Sequence, residues 1–348
     1  MPKVMNPSEQ QKTVGFVAGG IGDQLYHFTQ LEHLAKTSLS GTIDLVCMHT
    51  RPMREIASCC PWIGDIIDAQ PFRRLSSPAR FWDACRTLQA GAYGRAAVFH
   101  RSTSFKLACL AAGIPRRIGL SSGAVDRLLL TEPVDVLGGG GRRAVWGHRP
   151  FIGALDQHFS AQGLSYDGPA PIQPRVEQSD EVRAVYGALP RPWTVVNLFV
   201  GDPHRRWPPG HAEQMLKAFH DRFGGTLFVN TGPDAISWHD RLISLWTGPE
   251  DRLVNMMPDE APIPFMIAFY HQADLYLGVD SFTSNLALNC DLPAVILFNK
   301  ASDSLTFRSR SYPLAPAPEG PLDRLTEDDF HTAFSRFDEA PFSKDKQR

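Results

Sequence analysis

The chain has 348 residues, 43% of them hydrophobic and 21% charged, which excludes disordered, collagen-like and coiled-coil chains and suits two domains of roughly 100–200 residues each. Its 35 Lys and Arg against 37 Asp and Glu leave a formal charge of −2, without the basic excess that non-specific nucleic-acid binding needs. Only eight of the cations are Lys; the Arg preference fits either phosphate handling, to which the guanidinium fork is suited, or a biased codon usage.

No nucleic-acid partner is therefore expected. The six Cys, at 47, 59, 60, 85, 109 and 290, form no Cys-x-x-Cys pair and read as reduced, mostly buried thiols. Residues 1–12 are polar, and the apolar run at 14–18 is far too short for a signal h-region or a membrane span. The cytoplasm is the expected compartment.

From Thr13 onward, short β-rich runs alternate with helix-compatible segments, the pattern of βαβ units and a largely parallel sheet. A strand at 14–18 runs into the turn Gly19-Gly20-Ile21-Gly22-Asp23 and a helix over 24–36. A strand at 43–47, a helix from 52, the turn Cys60-Pro61-Trp62-Ile63-Gly64-Asp65, the pair Ile66-Ile67 and a strand at 96–99 follow. The run 138–141 is all Gly and reads as a mobile loop. Residues 163–174, with Gly168, Pro169, Pro171 and Pro174 and no periodicity, read as a linker. This divides the chain into 1–174 and 175–348. The second part is expected to hold strands at 195–200, 226–230, 275–279 and 294–298 and helices at 211–223, 235–245 and 284–289. Two α/β domains with a cleft between them follow.

Four turns stand where chemistry is expected in such sheets, beyond the carboxyl ends of strands. The first, at 19–23, lacks the Gly-x-Gly-x-x-Gly spacing, with Leu at 25, so it is no dinucleotide fingerprint; Asp23 there reads by itself as a helix cap. The second, Gly201-Asp202-Pro203-His204-Arg205-Arg206-Trp207-Pro208-Pro209, is either a phosphate clamp or an exposed charged loop whose Trp wedges the domain interface. The third, Gly278-Val279-Asp280-Ser281-Phe282-Thr283-Ser284-Asn285, places a helix start where it would receive a diphosphate without metal, or simply caps that helix. The fourth, Thr231-Gly232-Pro233-Asp234, suits a nucleoside contact or an ordinary turn. A nucleophile elbow, a Walker loop and a His-Glu-x-x-His motif are all absent, and the 12 His show no ligand spacing, so no metal cofactor is indicated.

Taken in order, these features resemble glycosyltransferase family 9, the ADP-heptose:lipopolysaccharide heptosyltransferases, over residues 13–300. Gly22-Asp23 is similar to the family's Gly-Asp pair, and the turn around Pro61 and the stretch ending Arg117-Ile118-Gly119 look like two further family motifs. Arg205-Arg206-Trp207-Pro208 looks like its Lys-x-Trp-Pro loop, and Asp280-Ser281 followed by Leu286-Ala287 is similar to its Asp-Ser/Thr-Gly-x-x-His-Leu-Ala signature. The sequence departs from the family at Thr29 (usually Pro), Arg205 (Lys), Phe282 (Gly), Asn285 (His) and Asn299 (Gly).

The resemblance implies a GT-B architecture, two Rossmann-like α/β domains with parallel sheets facing a central cleft. The acceptor would lie on the first domain and the nucleotide sugar on the second. It implies inverting, metal-independent transfer of a heptose or related sugar from an ADP-sugar, with no other cofactor. The acceptor would be a lipopolysaccharide core or another glycan or protein, and a lipid-linked acceptor would bring peripheral inner-membrane contact. Asp23 would be the catalytic base on the turn of Gly20 and Gly22. Arg205, Arg206, Gly232, Asp234, Asp280, Ser281, Phe282 and Asn285 would form the donor site. A helix over 325–337, with Phe330, Phe334 and Phe337 on one face, would return to the first domain. The departures at Phe282 and Asn285 motivate a rival, a catalytically inactive relative that binds a sugar nucleotide or acts as a scaffold; a GT-B-like nucleotide-sugar epimerase is a third reading.

Overall fold

In both halves of the chain, runs of three to ten residues become strands that pair in parallel, and those at the centre of each sheet, rich in apolar residues, are largely buried on both faces. The computed structural model describes residues 11–73, 77–136, 148–230, 236–256, 262–300 and 310–335. The Gly run at 138–141, together with Gly232, Asp234 and Phe337, lies outside the described residues.

The chain divides into two units, Met1–Tyr166 and Asp167–Arg348. In the first, β1 (Gln11–Phe16), β2 (Ser38–Cys47), β3 (Ile63–Asp68), β4 (Arg95–Val98), β5 (Arg116–Ser121) and β6 (Glu132–Asp135) form one sheet in the order β3-β2-β1-β4-β5-β6. In the second, β7 (Trp193–Asn197), β8 (Thr226–Val229), β9 (Leu253–Asn255), β10 (Leu275–Val279), β11 (Ala294–Leu297) and β12 (Ser311–Leu314) are ordered β12-β11-β10-β7-β8-β9. All ten pairings are parallel. Both orders are the doubly wound 3-2-1-4-5-6, with the first strand of each unit at the centre and the crossovers reversing beside it.

The segment expected as a linker is shared between the units. Tyr166 is held in the first by hydrogen bonds with Gln30 and Asp156, each 2.8 Å. Ile172 is fully buried in the second, with its amide on the Asn289 carbonyl. The helix expected over 24–36 is two helices, Ile21–Leu25 and Phe28–Lys36. It begins earlier because Gly20 takes the N-cap position and the Asp23 carboxylate, at the third helical position, accepts from the Gly20 N–H. Gly15 lets the second of these helices lie close on β1, since a Cβ there would stand 2.8 Å from Leu31. All six cysteines are buried thiols; burial pushes that of Cys47 up to about 12.

The C-terminal helix corrects an expectation. Its described residues, Glu327–Ser335, are built into the core of the second unit. Phe330 stacks on Trp207 at 5.4 Å, and Phe334 meets Phe219 edge-on at 4.8 Å. The apolar face read as a return to the first domain is consumed by these rings. Replacing Phe330 by Ala is expected to lower the stability of the second unit by about 3–5 kcal/mol, read as a drop in the urea midpoint; an unchanged midpoint would remove this helix from the core.

Candidate active site

The turn after β1 is built by two glycines and one carboxylate. Gly19 has φ +111°, and a Cβ there would stand 2.6 Å from Asp23 Oδ2, so both conformation and space require glycine. The Gly20 N–H donates to Asp23 Oδ2 at 2.8 Å. Asp23 is half-buried, and Gly22 precedes it in the first turn of the same helix. The N-cap expected from residue type is Gly20 and not Asp23; Asp23, at the third helical position, bonds back to the Gly20 N–H, which fixes the carboxylate at the carboxyl end of the central strand.

Beside this turn lies a cavity of about 750 Å³ lined by Ala18, Gly19, Gly20, Met48, His49, Arg73, His100, Arg101 and Ser102. These residues follow β1, β2 and β4, with Arg73 from the segment after β3. The main-chain bonds from Val17 N to Val46 O and from Phe99 N to Phe16 O, both 3.0 Å, hold the three strand ends level. Ligands bind at this reversal point in open α/β sheets. Helices Thr50–Ala57 and Thr103–Ala111 begin at His49 and Ser102, so their amino ends add to the two guanidinium groups, and the cavity suits an anion. His49 holds a left-handed backbone, φ 54° and ψ 53°, a strained conformation for a side-chain-bearing residue. Arg73, Arg101, His49 and His100 escaped the sequence analysis; applying the carboxyl-end rule to β2 and β4 as well as β1 would have found them.

In the second unit, the carboxyl ends of β7 and β10 meet through hydroxyls. Asn197 Nδ2 donates to Ser281 Oγ at 2.9 Å and to Thr283 Oγ1 at 2.5 Å, and the Tyr276 hydroxyl joins Thr283 at 3.0 Å. Burial pushes Tyr276 up to about 12, so it stays a neutral hydroxyl. Ser281 N donates to Ser284 Oγ at 2.9 Å, and Asn285, buried, donates its amide to the Ser281 carbonyl at 3.1 Å. Phe282 is half-buried at the first position of this helix, Phe282–Asn289.

The two arginines of the loop after β7 part ways. Arg205 pairs with Asp280 at 3.1 Å and with Asp202 at 3.7 Å, which joins the second and third expected motifs across 75 residues. Arg206 turns back into its own loop, donating to the Val200 carbonyl at 2.9 Å and lying 4.1 Å over the Phe199 ring. Trp207 is no wedge at the surface of the unit: it is fully buried, with its indole N–H on His211 at 2.9 Å. The structure therefore gathers Arg205, Asp280, Ser281 and Asn285 and leaves Arg206 on the aromatic side with Phe199 and Trp238. Thr283 belongs to the third expected turn; Asn197 and Tyr276 were missed, because a lone Asn or Tyr on a strand carries no motif.

No family model matches the sequence, and no curated protein matches it. Solved structures do. The chain is similar to ADP-heptose lps heptosyltransferase II of E. coli at 17% identity and a TM-score of 0.69, covering 94% of this chain and 99% of that one. A family 9 glycosyltransferase from Veillonella parvula gives 14% identity and a TM-score of 0.72 over 94% and 96%. The E. coli heptosyltransferase WaaC with ADP-2-deoxy-2-fluoro heptose gives 15% and 0.64 over 94% and 99%. The fold is that of the GT-B glycosyltransferases, a pair of doubly wound α/β units.

Replacing His49 by Gly relieves a left-handed residue, worth about 1 kcal/mol. The thermal midpoint is expected to hold or rise while the cavity loses an imidazole. A clear fall in the midpoint would show that the imidazole is a stability element instead.

Proposed function

We propose that this chain is an inverting, metal-independent glycosyltransferase that moves a heptose or related sugar from an ADP-sugar to a lipopolysaccharide core or another glycan or protein. The observation that carries this reading is the position of Asp23. Its carboxylate is fixed to the turn that walls a cationic cavity at the reversal point of the first sheet. The shared GT-B fold supports the class of reaction.

In this reading the acceptor occupies the first unit, with an anionic group between Arg73 and Arg101. Its hydroxyl oxygen attacks the anomeric carbon while its proton passes to Asp23, and the electron pair of the breaking bond leaves with the diphosphate. Positioned base catalysis of this kind contributes about 10²–10⁴-fold. The diphosphate is received in the second unit by Arg205 and by the amino end of helix Phe282–Asn289, which supply positive charge where negative charge grows. To do so, Arg205 exchanges part of its contact with Asp280 for phosphate. Among the described residues no group of three or more His, Cys, Asp or Glu stands together to hold a metal. Among them, too, no helix is long and apolar enough to cross a membrane; the reading carries a cytoplasmic location and peripheral contact with a lipid-linked acceptor.

The reading is tested with ADP-heptose and extracted lipopolysaccharide core. Asp23→Asn keeps the bond from the Gly20 N–H, because an amide oxygen accepts it as a carboxylate oxygen does, yet cannot accept the proton. Turnover is expected to fall about 10²-fold or more, with donor affinity unchanged by calorimetry. An Asn variant that keeps most of its turnover would leave Asp23 a holder of the turn alone. Arg205→Ala is expected to weaken ADP-heptose binding about tenfold, the lower end for a charge-assisted hydrogen bond, because Asp280 already holds part of the guanidinium. Unchanged affinity would return Arg205 to a loop-holding ion pair. Transfer is expected to persist in excess EDTA; loss restored by Mg²⁺ would overturn the metal-free step. Wild-type binding of ADP-heptose without turnover would favour the inactive relative, a reading that Phe282 and the Arg205–Asp280 pair motivate.

A further inference from the structure

Gln24 follows the proposed base directly and is fully buried. Its side-chain oxygen has no hydrogen-bond partner, an arrangement that an apolar residue of the same size would avoid. Its side-chain nitrogen is fully engaged: Nε2 donates to the Gly20 carbonyl at 3.2 Å and to the Gly19 carbonyl at 3.4 Å. The Gly19 carbonyl and the Gly20 N–H belong to one peptide unit. That unit is therefore gripped at its oxygen by Gln24 and at its nitrogen by the Asp23 carboxylate, 2.8 Å away.

Two consecutive glycines offer this peptide many orientations. If it flipped, the Gly19 carbonyl would turn toward the Asp23 carboxylate and the Gly20 N–H would leave it, exchanging an attraction for a repulsion. The same two glycines line the cavity, so a flip would also change the wall against which the acceptor lies. Both hydrogen bonds of the Gln24 side chain go to the turn.

We propose that Gln24 is a positioning residue, whose buried amide locks the Gly19-Gly20 peptide so that the Asp23 carboxylate is held in one orientation toward the acceptor hydroxyl. This rests on Asp23 being the base, as proposed above. It requires Gln24 to act on the rate through Asp23 and not through the fold.

A double-mutant cycle separates these. Gln24→Met is close in size and removes both the donor and the unpaired oxygen. With ADP-heptose and extracted lipopolysaccharide core, its kcat is expected to fall about tenfold or more, with the KM for ADP-heptose within about twofold and the thermal midpoint held or raised. In the Asp23→Asn background the same change is expected to cost nothing further. Gln24→Leu, likewise apolar and close in size, provides the same cycle should the Met variant fail to fold. Wild-type kcat in Gln24→Met, or an equal loss in both backgrounds, would overturn the inference. If Asp23→Asn alone keeps its turnover, the base reading itself has failed; if Asp23→Asn loses turnover and Gln24→Met does not, only the positioning role has.

Discussion

Parallel pairing brings the carboxyl ends of all strands in a sheet to one edge, and in this protein the polar residues sort themselves by that edge. The register of β1 against β2 and β4, level to within a residue at Val17, Val46 and Phe99, is what assembles the Gly19-Gly20 turn, His49 and the His100-Arg101-Ser102 segment around one cavity. A slip of one residue would carry every side chain of a strand to the other face and disperse the group. In the second unit the same geometry lets Asn197 at the end of β7 reach Ser281 and Thr283 beyond β10.

The opposite edge does different work. Asp44, buried on β2, takes Lys12 at 3.0 Å, the Tyr93 hydroxyl at 2.7 Å and the Asp65 N–H at 2.9 Å. Arg95, at the start of β4, donates to Thr13, Thr37 and the Leu34 carbonyl, and burial lowers it to about 10. These charges are compensated by partners fixed in place, which is how a buried ion is tolerated. At the carboxyl edge, by contrast, Arg73 and Arg101 stay exposed beside the cavity, His49 carries backbone strain and Gln24 carries an unpaired oxygen. Costs of this sort gather where a structure serves a ligand and not its own stability.

The Arg205-Arg206 pair shows how context divides two identical side chains. Both stand in one short loop. Arg205 faces the turn after β10 and meets a carboxylate, whereas Arg206 faces Phe199 and Trp238 and covers their rings. The first thereby reaches the turn after β10, and the second returns to its own loop.

The alternation of apolar runs and helix-compatible segments was enough to determine two α/β units, because a strand buried on both faces has to be apolar throughout and that is visible residue by residue. Leu275–Val279 is such a case. Asp23 and the Asp280-Ser281 turn were legible for the same reason, each standing directly after such a run. Tertiary structure alone decided the rest. The C-terminal helix could have covered either unit with its phenylalanines; the flat ring of Trp207, 120 or more residues earlier in the chain, chose the second. His49, Arg73 and His100 come from three separate connections, and neither periodicity nor spacing relates them. They meet only because the sheet reverses its crossovers at β1, a fact of topology that acts across the chain and leaves no local trace in it.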